Sequence, residues 1–296
     1  MKRNQVLDEK VEKRDINWFI SAFFNLRQES QSKEFSRLRS HPIAIYAHDY
    51  IGIQINSYGV YEHEQLNHLF TYIKKLDEKL TNSTVIDIGA NIGNHSLYFS
   101  EIFNKVVAFE PNPNTYELLQ FNTRSKTNVS TFCLGLGDEI GTFHLTLTPT
   151  NLGSCYISEE PDDVLNHIPV SVDRLDNIMD NSEKIGLIKI DAEGFEEKII
   201  NGGYKIIKKH RPIIVFEQLE REIENGSSPV ISQIRQLGYK VLWRQASMTS
   251  NNWLIKRLIN AHNFFFGKKF CIVSGDSVPK MDHSLLLAIP ESIVDL

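Results

Sequence analysis

Four short apolar runs, each closing on an acidic residue, constrain this chain more than anything else in its sequence. They are residues 84–87 (TVID), 106–110 (VVAFE), 187–191 (LIKID) and 213–217 (IIVFE). Apolar residues at consecutive positions fit strands buried on both faces, because a strand with one wet face would alternate. Helical spacing follows the first three runs, over residues 96–103, 115–122 and 195–200. Strand and helix in alternation build a parallel sheet covered by helices on both sides. In such sheets ligands sit outside the carboxyl ends of the strands, where the strand order reverses. The four closing acids, Asp87, Glu110, Asp191 and Glu217, are therefore expected along one ligand-bearing edge.

Around these runs the pattern is more varied. Residues 1–40 are charge-rich with apolar residues at helical spacing, from Val6 and Val11 through Trp18, Phe19 and Phe23 to Leu38, which predicts an amphipathic cap. Residues 43–55 turn to β-branched and aromatic types around Gly52 and predict a hairpin. A helix is expected over residues 62–80, with Leu66, Leu69, Phe70, Ile73 and Leu76 on one stripe. Residues 141–147 (GTFHLTL) read as a strand, followed by a polar loop at 148–158. A helix at 229–237 leads through Gly238 into a strand at 239–243, then an irregular stretch at 244–282 and a last strand at 285–289. This divides the chain into an N-terminal helical cap and hairpin extension, 1–80, and a main α/β domain, 81–296, with an irregular insertion at 244–282.

Composition removes several classes of function. Lysine plus arginine number 32 against 37 aspartate plus glutamate, a formal net charge of −5, so general phosphate-backbone binding and a nucleic-acid partner are not expected. The three cysteines, Cys133, Cys155 and Cys271, are scattered and form no C-x-x-C pair, which argues against a disulfide framework or a thiolate metal site. No stretch approaches the ~18 uninterrupted apolar residues of a membrane span. The amino terminus lacks the apolar core of a signal peptide, and the expected location is cytoplasmic. Apolar surface on the amino-terminal segment and on the Phe264–Phe265–Phe266 tail points to a homodimer.

Chemistry enters where the first run continues as DIGANIGNHS, residues 87–96. A strand passing through a glycine-bearing loop into a helix places backbone N–H groups and a helix N-terminus around an anionic group. A nicotinamide fingerprint would read G-x-G-x-x-G, its second glycine letting the backbone approach a pyrophosphate. Counting from Gly89, Asn91 replaces that second glycine and Asn94 the third, so an NAD-dependent dehydrogenase is the weaker reading. A nucleoside cofactor without phosphates fits better. S-adenosylmethionine presents one carboxylate, one ammonium, a sulfonium, a ribose and an adenine. Its amino-acid end suits the loop backbone, Asn91 and Asp87. Glu110, 17 residues beyond Gly93, suits both ribose hydroxyls.

The segments VIDIGANIGNHSLYFS (85–100), VVAFEPNPNTYELLQFN (106–122), LIKIDAEGFEEKIINGG (187–203) and RPIIVFEQ (211–218) stand in an order and spacing that resemble the FkbM-type family of S-adenosylmethionine-dependent methyltransferases. The likeness runs over roughly residues 57–220. SYGVYE (57–62) resembles the family's Y-G-x-Y-E segment, GLGDEIG (135–141) its loop after the third strand, and NLGS (151–154) its N-x-G-S element. NFFFGKKF (263–270) and SLLLAIP (284–290) resemble closing segments of some members. The resemblance implies a class I, Rossmann-like methyltransferase fold: a seven-stranded, mostly parallel sheet with helices on both faces and its last strand antiparallel. It also implies S-adenosylmethionine as cofactor and a hydroxyl acceptor on a sugar, glycan or small natural product. Some relatives methylate a peptide amide nitrogen instead, and a non-catalytic module that keeps the pocket is a further alternative. The implied cofactor set is Glu62, Asp87, Gly89, Ala90, Asn91, Gly93, Asn94, His95, Glu110, Pro111, Asn112, Asp138 and Asp191.

Methyl transfer requires nucleophile, methyl carbon and sulfur in line, so positioning supplies much of the rate. An alcohol is a poor nucleophile while protonated, so a general base within hydrogen-bond reach is expected. Asp191 and Glu193, two residues apart at the ligand edge, are the leading candidates, with His144 in the 141–147 strand and Glu217 beside them. A hard cation on Asp191, Glu193 and Glu217 would be another use of the same acids, but no compact ligand spacing demands it, and no metal is expected.

Overall fold

The computed structural model describes residues 16–38, 42–47, 49–147, 155–158, 167–180, 182–248 and 253–294. Each of the four apolar runs is a strand: β1 (Thr84–Ile88), β2 (Lys105–Phe109), β8 (Ile185–Ile190) and β9 (Ile213–Gln218). Three helices follow the first three runs: α4 (Asn94–Ser100), α5 (Pro113–Thr123) and α7 (Glu196–Gly202). Caps set two helix starts. Asn112 accepts the Asn114 N–H ahead of Pro113, and Ser228 accepts the Ile231 N–H ahead of Pro229, which opens α9 (Pro229–Gln236).

With β3 (Val129–Phe132), β10 (Tyr239–Ala246), β11 (Phe270–Ser274) and β12 (His283–Pro290), the described residues form one eight-stranded sheet in the order β3-β2-β1-β8-β9-β12-β10-β11. Strands β3, β2, β1, β8 and β9 pair in parallel. β12 enters antiparallel between β9 and β10, as expected of the last strand. The count is eight where seven were expected, because β11 folds back antiparallel on the outer edge of β10. Strand order reverses between β1 and β8, which puts the crevice above their carboxyl ends.

Apolar side chains cover both faces of the sheet. On one, Ile86, Ile188 and Phe216 pack with Ile199 of α7, Ile206 of α8 (Tyr204–His210) and Ile231 of α9. On the other, Val85, Val106 and Leu187 pack with α3 (His63–Leu76) and with Phe99 and Phe103. The predicted Leu66, Leu69, Phe70 and Ile73 stripe is the buried face of α3. A second sheet, in the order β4-β7-β5-β6, grows from the chain after β3: β4 (Gly135–Leu136), β5 (Gly141–Thr146), β6 (Tyr156–Ser158) and β7 (His167–Asp173). The short helix α6 (Leu175–Ile178) links β7 to β8, and α11 (Glu291–Val294) closes the described chain.

Two segments differ from the sequence reading. Residues 43–55 do not form a hairpin; helix α2 (Tyr50–Tyr58) begins there, with the Asp49 side chain accepting the Ile51 N–H at 3.1 Å. Gly52 is a contact glycine and not a turn: a Cβ there would lie 2.1 Å from the Tyr46 carbonyl oxygen. The 244–282 stretch is not irregular but holds the end of β10, α10 (Trp253–Phe266) and β11. Amino-terminal helix α1 (Ile16–Phe35) exposes Trp18, Phe19, Phe23 and Phe24. Among the described residues no helix is long and apolar enough to cross a membrane. Val6, Val11 and the 151–154 N-x-G-S element lie outside the described residues, as do the side chains of Phe264, Phe265 and Phe266.

Candidate active site

The crevice at the switch point is a cleft enclosing about 1090 Å³ with its open mouth, floored by the loop between β1 and α4. Gly89 takes φ +68° and Gly93 φ +90°, and Asn91 shares that left-handed region at φ +50°. Glycine is required at 89 for a second reason, since a Cβ there would meet the Asp191 carbonyl oxygen at 1.8 Å.

The loop uses its own donors. Gly89 and Ala90 N–H both donate to the Phe109 carbonyl, and Gly93 N–H donates to the Ala90 carbonyl. Asn91 N–H donates to Glu110 Oε2 at 2.9 Å and Ile92 N–H to Asn91 Oδ1 at 2.7 Å. Every N–H from Gly89 to Gly93 is thus bonded inside the chain, which corrects the expectation of a loop backbone open to an anion. A pyrophosphate finds no cradle here. Asn94 lines the cleft and clasps Tyr61 from both sides, donating to its carbonyl at 3.1 Å and accepting its N–H at 3.2 Å.

Glu110 stands one residue past β2, buried at the cleft wall. Its Oε1 accepts the Asn112 N–H and its Oε2 the Asn91 N–H, each at 2.9 Å. One lone-pair direction on each oxygen is left for a ligand, the geometry that a vicinal diol can fill. Burial pushes this carboxyl up to about 7 against the pull of its two backbone N–H donors and the Lys189 charge.

Across the cleft three carboxyl side chains meet at the ends of β8 and β9: Asp191, Glu193 and Glu217. Burial pushes Glu193 up to about 7, with Asp191 and Glu196 adding repulsion. Burial likewise raises Glu217 to about 9, reinforced by the charges of Asp191 and Glu193 and by its hydrogen bond to Asp191. Glu193 holds φ +50°, an uncommon conformation for a side-chain-bearing residue. Glu196 braces that turn, its Oε1 accepting the Ala192 N–H at 3.0 Å and the Gly194 N–H at 3.3 Å.

Beneath them lies a residue the sequence reading missed. Lys189 is 2% exposed, with Nζ 3.2 Å from Asp87 Oδ1 and 3.3 Å from Asp191 Oδ2. It also donates to the Gly89 carbonyl at 2.8 Å and the Ile88 carbonyl at 3.3 Å. Burial alone would lower its pKa, but Asp191 and Asp87 outweigh burial and hold it charged, above the ordinary lysine range. The legible signal was a lone charge inside the apolar run 187–190.

Several expected site residues sit elsewhere. Asp87 is 0% exposed and does not reach the cleft; it lies below the loop, accepting the Ser96 hydroxyl at 2.6 Å. Gly93 and Asn112 also stay out of the cleft wall, as the turn before α4 and the cap of α5. Glu62 lies behind His95, 3.3 Å from its Nε2, while His95 itself lines the cleft. Burial would raise Glu62, but the bonds from His95 and Ser284 hold it below the usual carboxylate range. Asp138 falls beyond β4, where its Cα would be 3.3 Å from a Cβ at Gly202, away from the cleft. His144 is displaced by strand alternation: its neighbours Phe143 and Leu145 are buried, Leu145 lines the cleft, and the His144 ring packs edge-on against His167 at 5.1 Å. Gly89, Ala90, Asn91, Asn94, His95, Glu110, Pro111, Asp191 and Glu193 are at the cleft wall.

The donor set suits an adenosyl sulfonium compound and not a dinucleotide. Four carboxyl groups face the cleft, the one lysine below is already engaged, and Pro111, Leu134, Leu136 and Ile157 form an apolar slot for a flat ring. A phosphate would meet acid on all sides, whereas a cation would be welcome. The doubly wound sheet, with an antiparallel strand slotted before its penultimate member, defines a class I S-adenosylmethionine-dependent methyltransferase. Residues 87–241 match the methyltransferase FkbM domain, and the chain belongs to that family. It is 27% identical to a methyltransferase of Sordaria araneosa, over 52% of this chain and 72% of the relative. To a hexuronic acid methyltransferase of Haloferax volcanii it is 28% identical, over 52% of this chain and 61% of the relative. A solved FkbM methyltransferase from Methylobacillus flagellatus is 18% identical, with a TM-score of 0.37 over 54% of this chain and 39% of that one. In the last two cases the chain spans less than two thirds of the relative's length.

Proposed function

We propose that this protein methylates a hydroxyl group of a carbohydrate or small natural product. The observation that carries the reading is the acid cluster of Asp191, Glu193 and Glu217 across the cleft from Glu110. S-adenosylmethionine, when bound, supplies a methyl group on a cationic sulfur. Glu110 is assigned the ribose hydroxyls, with its carboxylate fixed by the Asn91 and Asn112 N–H groups. Asp191 and Glu217, which share a hydrogen bond, would face the positive end of the cofactor. Pro111, Leu134 and Ile157, which line the cleft, would flank the adenine and keep water from it.

Glu193 is assigned the general base. A base works best with a pKa near the operating pH, and Glu193 lies at about 7. It would take the acceptor's hydroxyl proton as the O–CH3 bond forms and the S–CH3 bond breaks, the electron pair staying on sulfur as a neutral thioether, and would then release that proton to solvent. His144 has no part in this step, because its ring packs away from the cleft. The hexuronic acid substrate named for the Haloferax volcanii relative supports a carbohydrate acceptor.

The test is transfer of radiolabelled methyl from S-adenosylmethionine to a panel of glycans, lipid-linked sugars and peptides. Label on a sugar hydroxyl is expected. Glu193→Gln should lower the rate by about 10²–10⁴-fold while cofactor binding, measured by calorimetry, persists. Label confined to a peptide amide, or an E193Q enzyme as fast as the parent, would overturn the assignment.

A further inference from the structure

A second cavity opens at the same carboxyl edge of the main sheet, between α3 and strands β10, β11 and β12. Its floor is apolar, formed by Leu69, Leu242, Ile272 and Leu287. The Arg244 guanidinium sits over the Phe270 ring on one side of it, Cζ 3.5 Å from the ring centre. A guanidinium over a ring face can still offer its N–H groups to a ligand. Its buried Nε has no hydrogen-bond partner among the described residues. Leaving such a donor unmet is costly, and a ligand acceptor would meet it.

The other polar groups of the cavity are engaged or uncharged. Asp282 Oδ1 accepts the Glu220 N–H at 2.8 Å, His283 Nε2 lies 2.9 Å from the Pro279 carbonyl oxygen, and Ser284 bonds Glu62. Burial, with repulsion from Arg244 and Lys75, holds His68 below the ordinary histidine range. The cavity therefore presents one guanidinium over an apolar floor, its one lining carboxylate, Asp282, being already engaged by the Glu220 N–H. Glu64, on the exposed side of α3, is the nearby acid acting on Arg244.

The cavity and the cleft share a wall one side chain thick. His95 lines the cleft, Ser284 lines the second cavity, and Glu62 bonds to both. One strand pair repeats the link, since Glu217 lines the cleft and the next residue, Gln218, pairs with His283 of the second cavity.

We propose that this second cavity is a specificity subsite for the carboxylate of an acidic sugar acceptor, paired in plane with the Arg244 guanidinium. A planar monoanion matches a single guanidinium fork. A phosphate dianion would bring a second charge against Asp282 and Glu64 with no second cation in the lining to meet it. The subsite's role in acceptor choice rests on the methyl-transfer reading above, while the binding of a carboxylate at Arg244 does not.

Ligand-observed NMR on the full chain, with glucuronate and methyl glucoside as probes, separates the two. The parent protein should bind the acid in preference to the neutral sugar. Arg244→Met should cut that preference by about tenfold or more, the loss expected when a charge-assisted pair is removed. Arg244→Lys should keep part of it, since the charge stays but the fork is lost. Phe270→Leu, which frees the guanidinium from its stack, provides a second variant should R244M fail to fold. Equal binding of acid and neutral sugar by the parent, or a preference undiminished in R244M and R244K, overturns the subsite. Glucuronate binding through Arg244 with no sugar hydroxyl ever methylated would instead overturn the methyl-transfer reading alone. In methyl transfer, the ratio of kcat/KM for acidic over neutral acceptors should collapse in R244M, chiefly through KM.

Discussion

Replacing Lys189 with methionine tests the electrostatic centre of the site. The ammonium lies 3.2 Å from Asp87 Oδ1 and 3.3 Å from Asp191 Oδ2. These two carboxylates differ in what happens when the cation is gone. Asp191 is 37% exposed at its side chain and can recruit water, whereas Asp87 is 0% exposed and keeps only the Ser96 hydroxyl. Most of the penalty therefore falls on Asp87. Breaking a buried pair by removing one partner costs about 3–5 kcal/mol, because the remaining charge is left uncompensated. At about 2–4 °C per kcal/mol for a chain of this size, K189M should melt about 6–20 °C below the parent. The loop above should loosen too, since the Gly89 carbonyl loses its bond from Nζ. Removing the stranded charge as well should reverse most of the loss, so the double variant K189M/D87N should melt well above K189M. Scanning calorimetry reads both. If K189M melts within about 2 °C of the parent, or the double variant is no better than the single, Lys189 is not the neutralising cation described here.

Two further predictions follow from the same site. Glu193 and Glu217 are raised on folding, from 4.5 to about 7 and about 9, so between those limits the folded state holds protons that the unfolded chain has released. Stability of the cofactor-free protein should therefore fall as pH rises from about 5 to 9, more gently in E193Q and E217Q, and thermal melts showing a flat or rising profile would contradict this. Gly89→Ala puts a methyl group 1.8 Å from the Asp191 carbonyl oxygen in a left-handed conformation, and should cost more than about 2 kcal/mol in denaturant unfolding; a neutral effect would mean that the contact between β1 and the β8 end is not rigid.

How far the sequence revealed this molecule depends on which signal each residue carried. Four of the five parallel strands were legible because burial on both faces leaves a continuous apolar run, as in 213–217, whereas β3 alternates half-buried and exposed residues and has none. The 43–55 segment was misread because β-branched composition says nothing of Asp49, whose cap starts a helix, or of Gly52, which is small to clear the Tyr46 carbonyl. The eighth strand, β11, was missed although Phe270 to Val273 are consecutively apolar, because this half-buried edge run is short and closes on no acid like the other four. In the site, spacing located the loop and the acids but could not tell which way they turn. Asp87 and His144 each fall one residue out of phase with a cleft-lining neighbour, Ile88 and Leu145, and a one-residue step on a strand reverses the side chain. The second cavity had no local signature at all, as Gln65, Arg244, Phe270 and Ser284 meet only through the tertiary fold.

That phase difference also explains why four strand-ending acids can coexist. Were all four to face the cleft, they would repel one another with one lysine to answer them. Turning Asp87 inward places it and Asp191 on either side of the same ammonium, so one buried cation serves the core and the cleft together. Glu110 is held apart by two backbone N–H groups, which with the Lys189 charge favour its charged form against burial. Glu193 and Glu217 have neither device, and burial with mutual repulsion raises them to about 7 and about 9; burial raises Glu110 to about 7 in spite of its two donors. The acids left without compensation by the fold are thus the ones in a position to exchange a proton with an acceptor and to gain from a cation entering the cleft. A site whose negative charge is only partly balanced by its own protein selects a positively charged cofactor by the same imbalance that supplies it with a base.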